Sequence, residues 1–173
     1  MNVQVARILA AVRAVGPRKA VGAGTAIAPL LERLISVMKR LPRGAELDWA
    51  LRAYDAKLSA PIDPRDLEDL FGNLLDNARK WARTRVDVSV TATSDRIVVA
   101  VGDDGPGIPE DRRSEVLSDG VRLDRTVPGT GIGLAIAKDL TTLHRGTLGL
   151  ETSDLGGIQV TVHLMLRARS TVA

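Results

Sequence analysis

DPRDLEDLFGNLLDNARKWA, residues 63–82, carries the strongest secondary-structure signal in the chain. Asp63 can cap a helix, and Pro64 suits its first position. Apolar side chains recur with the 3.6-residue period of a single helix face; they are Leu67, Leu70, Phe71, Leu74, Leu75, Ala78 and Trp81. The stretch predicts a long amphipathic helix that packs against the core.

A polar stripe lies beside that apolar face. Asn73, Asn77 and Lys80 are spaced four and three residues apart, so they share one side of the helix. Two amide oxygens one turn apart can bind a hard cation such as Mg²⁺, and a lysine one turn further on can reach a phosphate. Solvent-facing asparagine pairs are also common on helices, so the stripe alone leaves a structural interpretation open.

A loop rich in glycine and proline, DDGPGIP at residues 103–109, follows a predicted strand. Gly105 and Gly107 allow the backbone to pass close to a flat ligand or to adopt positive φ. Asp103, at the strand end, can accept a hydrogen bond from an amino group in a buried pocket. Asp-Gly and Pro-Gly are also ordinary turn pairs, so both a ligand site and a plain turn remain open.

Three further glycines, Gly129, Gly131 and Gly133, run directly into a predicted helix in GTGIGLAIAKDL, residues 129–140. Small residues expose backbone N–H groups, and a helix N-terminus favours a phosphate. The spacing differs from the G-x-G-x-x-G of dinucleotide-binding folds, and the G-K-[ST] of a Walker loop is missing. Alone, this segment is a weak indication of phosphate binding.

The order of the elements predicts the fold class. The other predicted helices and strands are helices at 1–16, 30–41, 110–117 and 132–143, and strands at 46–53, 56–59, 86–93, 96–101, 147–151 and 158–166. Helices and strands in this order predict a two-layer α/β sandwich, with a mixed sheet and the helices on one face. A short N-terminal helix is added to it.

Composition excludes several classes of function. The 173-residue chain has no cysteine, so disulfides, thiolate metal sites and cysteine nucleophiles are excluded. Its net charge of +3 is mild and its basic residues are not interleaved with aromatic ones, so we expect no nucleic-acid partner. No apolar run approaches the roughly 20 residues that span a bilayer, and the N-terminus lacks the pattern of a signal peptide.

Together, the three motifs are a strong signal. An asparagine-rich helix, D-x-G-x-G and G-x-G-x-G, in that order, resemble the N, G1 and G2 boxes of the ATP-binding superfamily shared by sensor histidine kinases, Hsp90, gyrase and MutL. The resemblance covers about residues 28–166. NLLDNARKW, VGDDGPGIP and GTGIGLAIAKDL are most similar to histidine kinases, in particular the magnesium- and pH-responsive sensor kinases of Gram-negative bacteria. The resemblance implies a Bergerat fold, histidine kinase activity and bound Mg·ATP.

The resemblance implies roles for the motif residues at both ends of a nucleotide. At the adenine end, Asp103 would hold the amino group, while Gly105 and Gly107 would shape the pocket. Trp81 takes the place of the ring that often flanks adenine in the family. In the G2 box, which would anchor a lid at about 118–128 over the triphosphate, the nucleotide-binding residues would be Gly129, Thr130, Gly131, Gly133 and Leu134.

The phosphate end would use the polar stripe. Asn73 and Asn77 would hold Mg²⁺ and phosphates, and Lys80 would contact phosphate during transfer. In hydrolysing relatives, a Glu four residues before the magnesium-binding Asn positions water; here that position is Asn73, and an amide cannot act as a general base. Among nearby acids, Asp69 lies on the stripe and Glu68 does not, so Asp69 is the candidate catalytic base. It can equally be a solvated helix acid.

The phosphoacceptor is missing from the sequence. The family phosphorylates a His in a motif like H-E-x-[KR]-T-P-L on a dimerisation helix, and neither His144 nor His163 has that context. The N-terminal residues resemble the second helix of the dimerisation hairpin instead. We therefore predict a remnant of that helix at 1–16, a linker at 17–27, the catalytic ATP-binding domain at 28–168 and a tail at 169–173.

These features define what we expect of the parent protein. We expect this chain alone to be mainly monomeric and unable to autophosphorylate, and its parent to be an inner-membrane homodimer with this domain in the cytoplasm. Expected partners are the parent's own phosphoacceptor domain and a response regulator. Two alternatives remain: a serine kinase of the anti-sigma-factor type, and a nucleotide-binding module without catalysis. The resemblance of 1–16 to a hairpin helix counts against the first, and the intact boxes count against the second.

Overall fold

The computed structural model describes residues 24–53, 55, 57–117 and 133–166. In chain order its elements are β1 (Thr25–Ala26), α1 (Ile27–Met38), β2 (Asp48–Ala53), β3 (Ser59–Ala60), α2 (Pro64–Trp81), β4 (Arg85–Ala92), β5 (Arg96–Asp103), α3 (Arg113–Val116), α4 (Gly133–Leu143), β6 (Thr147–Thr152) and β7 (Ile158–Met165). Each element predicted between residues 30 and 166 has a counterpart, with ends shifted by a few residues. No helix within the described ranges is long and apolar enough to cross a membrane.

Five strands form one mixed, open sheet in the order β2-β4-β5-β7-β6. β2 runs parallel to β4, and all the other neighbouring strands are antiparallel. Along β4, Val86, Val88 and Val90 are buried on one face, while the residues between them lie half-buried on the other. The buried face carries the helices, which confirms the predicted two-layer α/β sandwich.

The helix α2 is central to the helical layer. The Asp63 carboxylate accepts a hydrogen bond from the Arg65 backbone N–H at 2.9 Å, and Pro64 is the first helical residue, so the predicted cap is present. The apolar face is buried around Phe71, the largest of the fully buried side chains. The polar stripe remains at the edge of this face, next to α4.

The helix α4 crosses α2 in the opposite direction. Its first residue, Gly133, lies against Asn73 and Asn77 in the second half of α2. Just beyond its last residue, His144 Nε2 lies 2.8 Å from Asp66 Oδ2 in the first turn of α2. The two contacts fix which residues of α4 face the polar stripe.

The described fold begins before the boundary predicted at residue 28. β1 pairs with β3, and the Thr25 hydroxyl donates to the backbone carbonyl of Ile62 at 2.7 Å. Residues 25–27, which we assigned to the linker, are therefore part of this fold. The predicted segments that lie wholly outside the described residues are the helix at 1–16, the lid at 118–128 and the tail at 169–173.

Candidate functional site

Two amide side chains and a glycine meet where α2 and α4 cross. A Cβ built on Gly133 would lie 3.3 Å from Asn73 Oδ1 and 3.4 Å from both Oδ1 and Nδ2 of Asn77. The backbone at the start of α4 therefore lies directly on the two amides. The structure thus brings part of the polar stripe together with one glycine of the G2 box.

The amide of Asn73 has a defined orientation. Its Nδ2 donates to the backbone carbonyl of Asp69 at 2.8 Å, so Oδ1 is the atom that faces Gly133. Asp69 itself, the candidate base, lies one turn earlier and is only 7% exposed. The fixed orientation presents an oxygen donor, rather than an N–H group, at the crossing of the helices.

Lys80 has an ion-pair partner that the sequence analysis missed. Its ammonium forms an ion pair with Asp76 Oδ2, and Arg79 Nη2 lies 2.6 Å from the other carboxylate oxygen, Oδ1. Arg79 also donates to the backbone carbonyl of Pro42 at 2.5 Å. The i,i+4 spacing of Asp76 and Lys80 was a signal for the first pair. The contact with Pro42 joins residues 37 positions apart, so no local sequence pattern indicates it.

Asp103 is a buried carboxylate at the end of β5. It is 3% exposed, and its Oδ1 accepts hydrogen bonds from the backbone N–H groups of Gly105 at 2.8 Å and Ile158 at 3.4 Å. Burial raises the pKa of Asp103, although these two hydrogen bonds act in the opposite direction. The described hydrogen bonds of the carboxylate all fall on Oδ1, so Oδ2 is the oxygen that can serve a ligand.

Close backbone approaches fix the loop after Asp103. A Cβ on Gly105 would lie 2.5 Å from the carbonyl oxygen of Trp81, the last residue of α2. A Cβ on Gly157, in the β6–β7 turn, would lie 2.5 Å from the Asp103 carbonyl oxygen and 2.6 Å from the Gly105 nitrogen. Gly107 has a φ of +72° and faces the same turn. Close backbone packing thus requires Gly105, positive φ favours Gly107, and Trp81 is half-buried beside Gly105.

Asp104, next to the buried aspartate, has a different environment. Its Oδ1 accepts from the backbone N–H groups of Arg83 at 2.8 Å and of Thr84 and Arg85 at 3.1 Å, and its Oδ2 accepts from the Thr84 hydroxyl at 2.6 Å. Burial raises its pKa, but the hydrogen bonds from Thr84, Arg85 and Arg83 outweigh this and lower the pKa to about 2. Asp104 therefore ties the loop to the start of β4. The sequence analysis did not identify it.

The remaining predicted residues are only partly described. Leu134 is half-buried and packs against the core, whereas Gly129, Thr130 and Gly131 lie outside the described residues. His163 lies on β7 opposite Val98, and His144 lies at the far end of α4 from Gly133. Within the described ranges, neither histidine is close to the polar stripe.

The chain matches known proteins over the region that contains all three motifs. The sequence profile of histidine kinase-, DNA gyrase B- and HSP90-like ATPases matches residues 62–168. The sensor protein kinase CarS of Pseudomonas aeruginosa is 46% identical over 116 residues, which are 67% of this chain and 26% of CarS. The virulence sensor histidine kinase PhoQ of Salmonella typhimurium is 35% identical over 136 residues, 79% of this chain and 28% of PhoQ.

A solved structure extends the likeness to the fold. The mycobacterial sensor histidine kinase MprB has a TM-score of 0.72 at 26% identity, and the superposition covers 80% of this chain and 93% of that chain. The chain spans about a quarter of the length of the curated relatives CarS and PhoQ. It belongs to the family of histidine kinase-, DNA gyrase B- and HSP90-like ATPases, and within that family it is similar to the catalytic domains of sensor histidine kinases.

Proposed function

We propose that this domain binds ATP with Mg²⁺ and transfers the γ-phosphate to a histidine on a dimerisation helix of its parent protein. The observation that carries this proposal is the packing of Gly133 on the amides of Asn73 and Asn77. A helix start suited to phosphate thereby lies beside oxygen donors suited to a hard cation. Because Gly105 contacts Trp81 at the end of the same helix, the loop after β5 supplies the other end of one elongated site.

At that other end, the site favours adenine. Adenine carries an exocyclic amino group, which is a hydrogen-bond donor, and Asp103 offers a carboxylate oxygen to accept from it. Guanine presents a carbonyl oxygen at the corresponding position, and an acceptor facing an acceptor is repulsive. A buried acceptor discriminates strongly, because the wrong base leaves it without a partner. Gly105 and Gly107 would shape the pocket by letting the loop pack closely against the end of α2 and the β6–β7 turn.

The donor set near Gly133 fits Mg²⁺ delivered with a nucleotide. The described residues hold no group of three or more His, Cys, Asp or Glu that could bind a metal by themselves. Two amide oxygens, from Asn73 and Asn77, are the kind of partial set that Mg²⁺ completes with phosphates and water. Bound Mg²⁺ would neutralise charge on the phosphates. Lys80 would add a positive charge at the same end of the site.

The side chain at position 73 supports transfer to an external nucleophile over hydrolysis. Asn73 commits its amide nitrogen to the carbonyl of Asp69, and an amide oxygen cannot take a proton from water. The domain would therefore position the phosphates and balance their charge, while an imidazole supplied by the acceptor helix attacks. Asp69 remains the candidate base for this step, since it is buried one turn from Asn73 on the same stripe.

The parent protein would supply the rest of the reaction. We place the phosphoacceptor histidine on a dimerisation hairpin of a homodimer and assign a response regulator as the recipient of the phosphate. The sensor kinases that this chain resembles support a sensor-kinase parent, which we place in the inner membrane with this domain in the cytoplasm. Gly129, Thr130 and Gly131, together with the segment at 118–128, would cover the triphosphate. No nucleic-acid partner is part of this scheme, and the chain alone would be mainly monomeric.

Two measurements test the proposal. Calorimetry with ATP and GTP, each with and without Mg²⁺, should show micromolar-to-millimolar binding that prefers ATP and depends on the cation. A purified acceptor-helix domain with labelled ATP should then gain an acid-labile, base-stable label on its histidine. Equal binding of ATP and GTP would overturn the pocket assignment. Label on His144 or His163 of the isolated chain would overturn the proposal that the phosphoacceptor histidine lies on a separate helix.

A further inference from the structure

Three charged side chains form a compact group at the C-terminal end of α2. Asp76, Arg79 and Lys80 have side chains that are only 14%, 12% and 20% exposed. Each oxygen of Asp76 serves a different cation: Oδ1 accepts from Arg79 Nη2 at 2.6 Å and from Arg79 Nε at 3.1 Å, while Oδ2 pairs with Lys80 Nζ. We call these residues the charge triad. With two cations and one anion, the triad has a net charge of +1.

The two cations of the triad are held differently. Arg79 has a second anchor, since it donates to the carbonyl oxygen of Pro42, and Arg43 donates from the same loop to the carbonyls of Lys80 and Ala82. Arg79 is therefore fixed between a helix and a loop. Lys80 has no such tether, and in the part of the chain that the structure describes, Asp76 is its one ion-pair partner.

This asymmetry decides which bond can exchange. Removing one partner from a mostly buried ion pair is costly when the remaining charge has no other partner. If Lys80 leaves Asp76, the carboxylate still has the guanidinium of Arg79, so no buried charge is left alone. If Arg79 left instead, it would also lose its contact with Pro42. Lys80 is thus the member of the triad that can turn towards a phosphate at low cost.

We propose that Asp76 is a positioning residue that holds Lys80 in the nucleotide-free domain and releases it to the phosphates of ATP, with Arg79 keeping the carboxylate paired after release. This rests on the proposed function, in which Lys80 contacts phosphate. The phosphates and Asp76 then compete for one ammonium group. The strength of the Asp76–Lys80 pair sets how much of the ATP affinity is used to break it.

The competition predicts that substitutions at Asp76 and at Arg79 change the affinity for Mg·ATP in opposite directions. Asp76→Asn should free Lys80 and lower the dissociation constant for Mg·ATP about threefold to tenfold. Arg79→Met should leave Lys80 as the only counter-ion of Asp76 and raise the constant by a similar factor. Adenosine, which has no phosphate, should bind the unmodified domain and the two variants with equal affinity.

The decisive experiment is calorimetry on a double-mutant cycle. Asp76→Asn and Arg79→Met are measured alone and again with Lys80→Met, each with Mg·ATP and with adenosine. Asp95→Asn is the matched control, because it removes the same charge from a carboxylate that is 66% exposed in the turn between β4 and β5. In the Lys80→Met background, both effects should vanish. The Asp95 variant should match the unmodified protein.

The outcomes separate this proposal from the proposed function. If the unmodified domain binds neither Mg·ATP nor adenosine, the proposed function fails, and the proposal about Asp76 fails with it. If it binds both, but Asp76→Asn behaves like Asp95→Asn, the function stands and the role of Asp76 is overturned. If Asp76→Asn still tightens binding in the Lys80→Met background, the effect is one of overall charge and the positioning role is overturned. Should Arg79→Met not fold, the two Asp76→Asn measurements decide.

Discussion

The two ends of the candidate site are built by different means. At the adenine end, Asp103 and Asp104 are held by backbone N–H groups, and the chain passes so closely at Gly105 and Gly157 that a methyl group has no room. At the phosphate end, Asn73 and the charge triad are held mainly by side-chain contacts along α2, and Arg79 also contacts the Pro42 carbonyl. Backbone contacts are fixed by the fold, whereas side chains can change rotamer. We therefore assign base recognition to the rigid end and charge exchange to the adaptable one.

The largest expected effect comes from filling the rigid end. Gly157→Ala would place Cβ against the Asp103 carbonyl oxygen and the Gly105 nitrogen, at 2.5 and 2.6 Å. These are backbone atoms that cannot move aside, so we expect a loss of about 3 kcal/mol or more in the free energy of unfolding, together with loss of ATP binding. Urea unfolding measures the first. Gly149→Ala in β6, where a Cβ meets nothing within 4 Å, is the control and should be close to neutral.

At the adaptable end, function and stability should separate. Asn77→Ala removes an oxygen donor at the crossing of α2 and α4 and should lower phosphoryl transfer about 100-fold. Its free energy of unfolding should fall by less than about 1 kcal/mol, because Asn77 is half-buried and outside the core. Leu74→Ala, from a side chain that is 1% exposed, should cost about 2–5 kcal/mol. If both variants lose the same free energy of unfolding, Asn77 is a structural residue.

The native Asp103 carboxylate should serve base recognition while lowering the stability of the fold. Because burial raises its pKa, the ionised form is disfavoured in the folded protein, and Asp103→Asn should not lower the melting temperature. The new amide can keep the hydrogen bonds of Oδ1 but presents N–H where adenine needs an acceptor. The preference for ATP over GTP should fall about tenfold to hundredfold. A variant that keeps full selectivity would place adenine elsewhere.

A smaller effect should distinguish Asp104 from its neighbour. Its pKa of about 2 lies below the unfolded value of about 3.9. The carboxylate therefore stabilises the fold fully above about pH 4, and this contribution is lost as the pH falls towards 2. At neutral pH, Asp104→Asn should cost about 1–2 kcal/mol once solvent screening is allowed for. The unfolding difference between the two proteins should shrink on acidification; a constant difference would contradict the role of the charge.

Local patterns made the fold predictable. The 3.6-residue period of α2 and the alternation along β4 and β5 specify which faces are buried, and the order of the motifs indicates the family. Asn73, Asn77 and Gly133 could be assigned because helix spacing and the G2 box each carry a local signal. In the structure these three residues lie together, as the family motifs predict.

Long-range backbone contacts were not predictable from these patterns. Two adjacent aspartates in DDG look alike in sequence, yet one is buried and the other binds three N–H groups some twenty residues earlier in the chain. In the sequence, Gly157 looks like an ordinary turn residue. A side chain is excluded there because Asp103, on another strand, lies too close. The anchoring of Arg79 to Pro42 has the same origin. Such contacts depend on how distant segments meet.

A two-dimensional NMR titration tests most directly whether the two ends form one nucleotide site. Adenosine should shift the amide signals of Gly105 and Ile158 and leave those around Asn73, Asn77 and Gly133 unchanged. Mg·ATP should shift both sets at a single binding stoichiometry of one. Signals on the open face of the sheet, such as Ser89, serve as the reference and should not move. If adenosine and Mg·ATP shift separate sets of residues, or shift mainly the open face, the single-site account is contradicted.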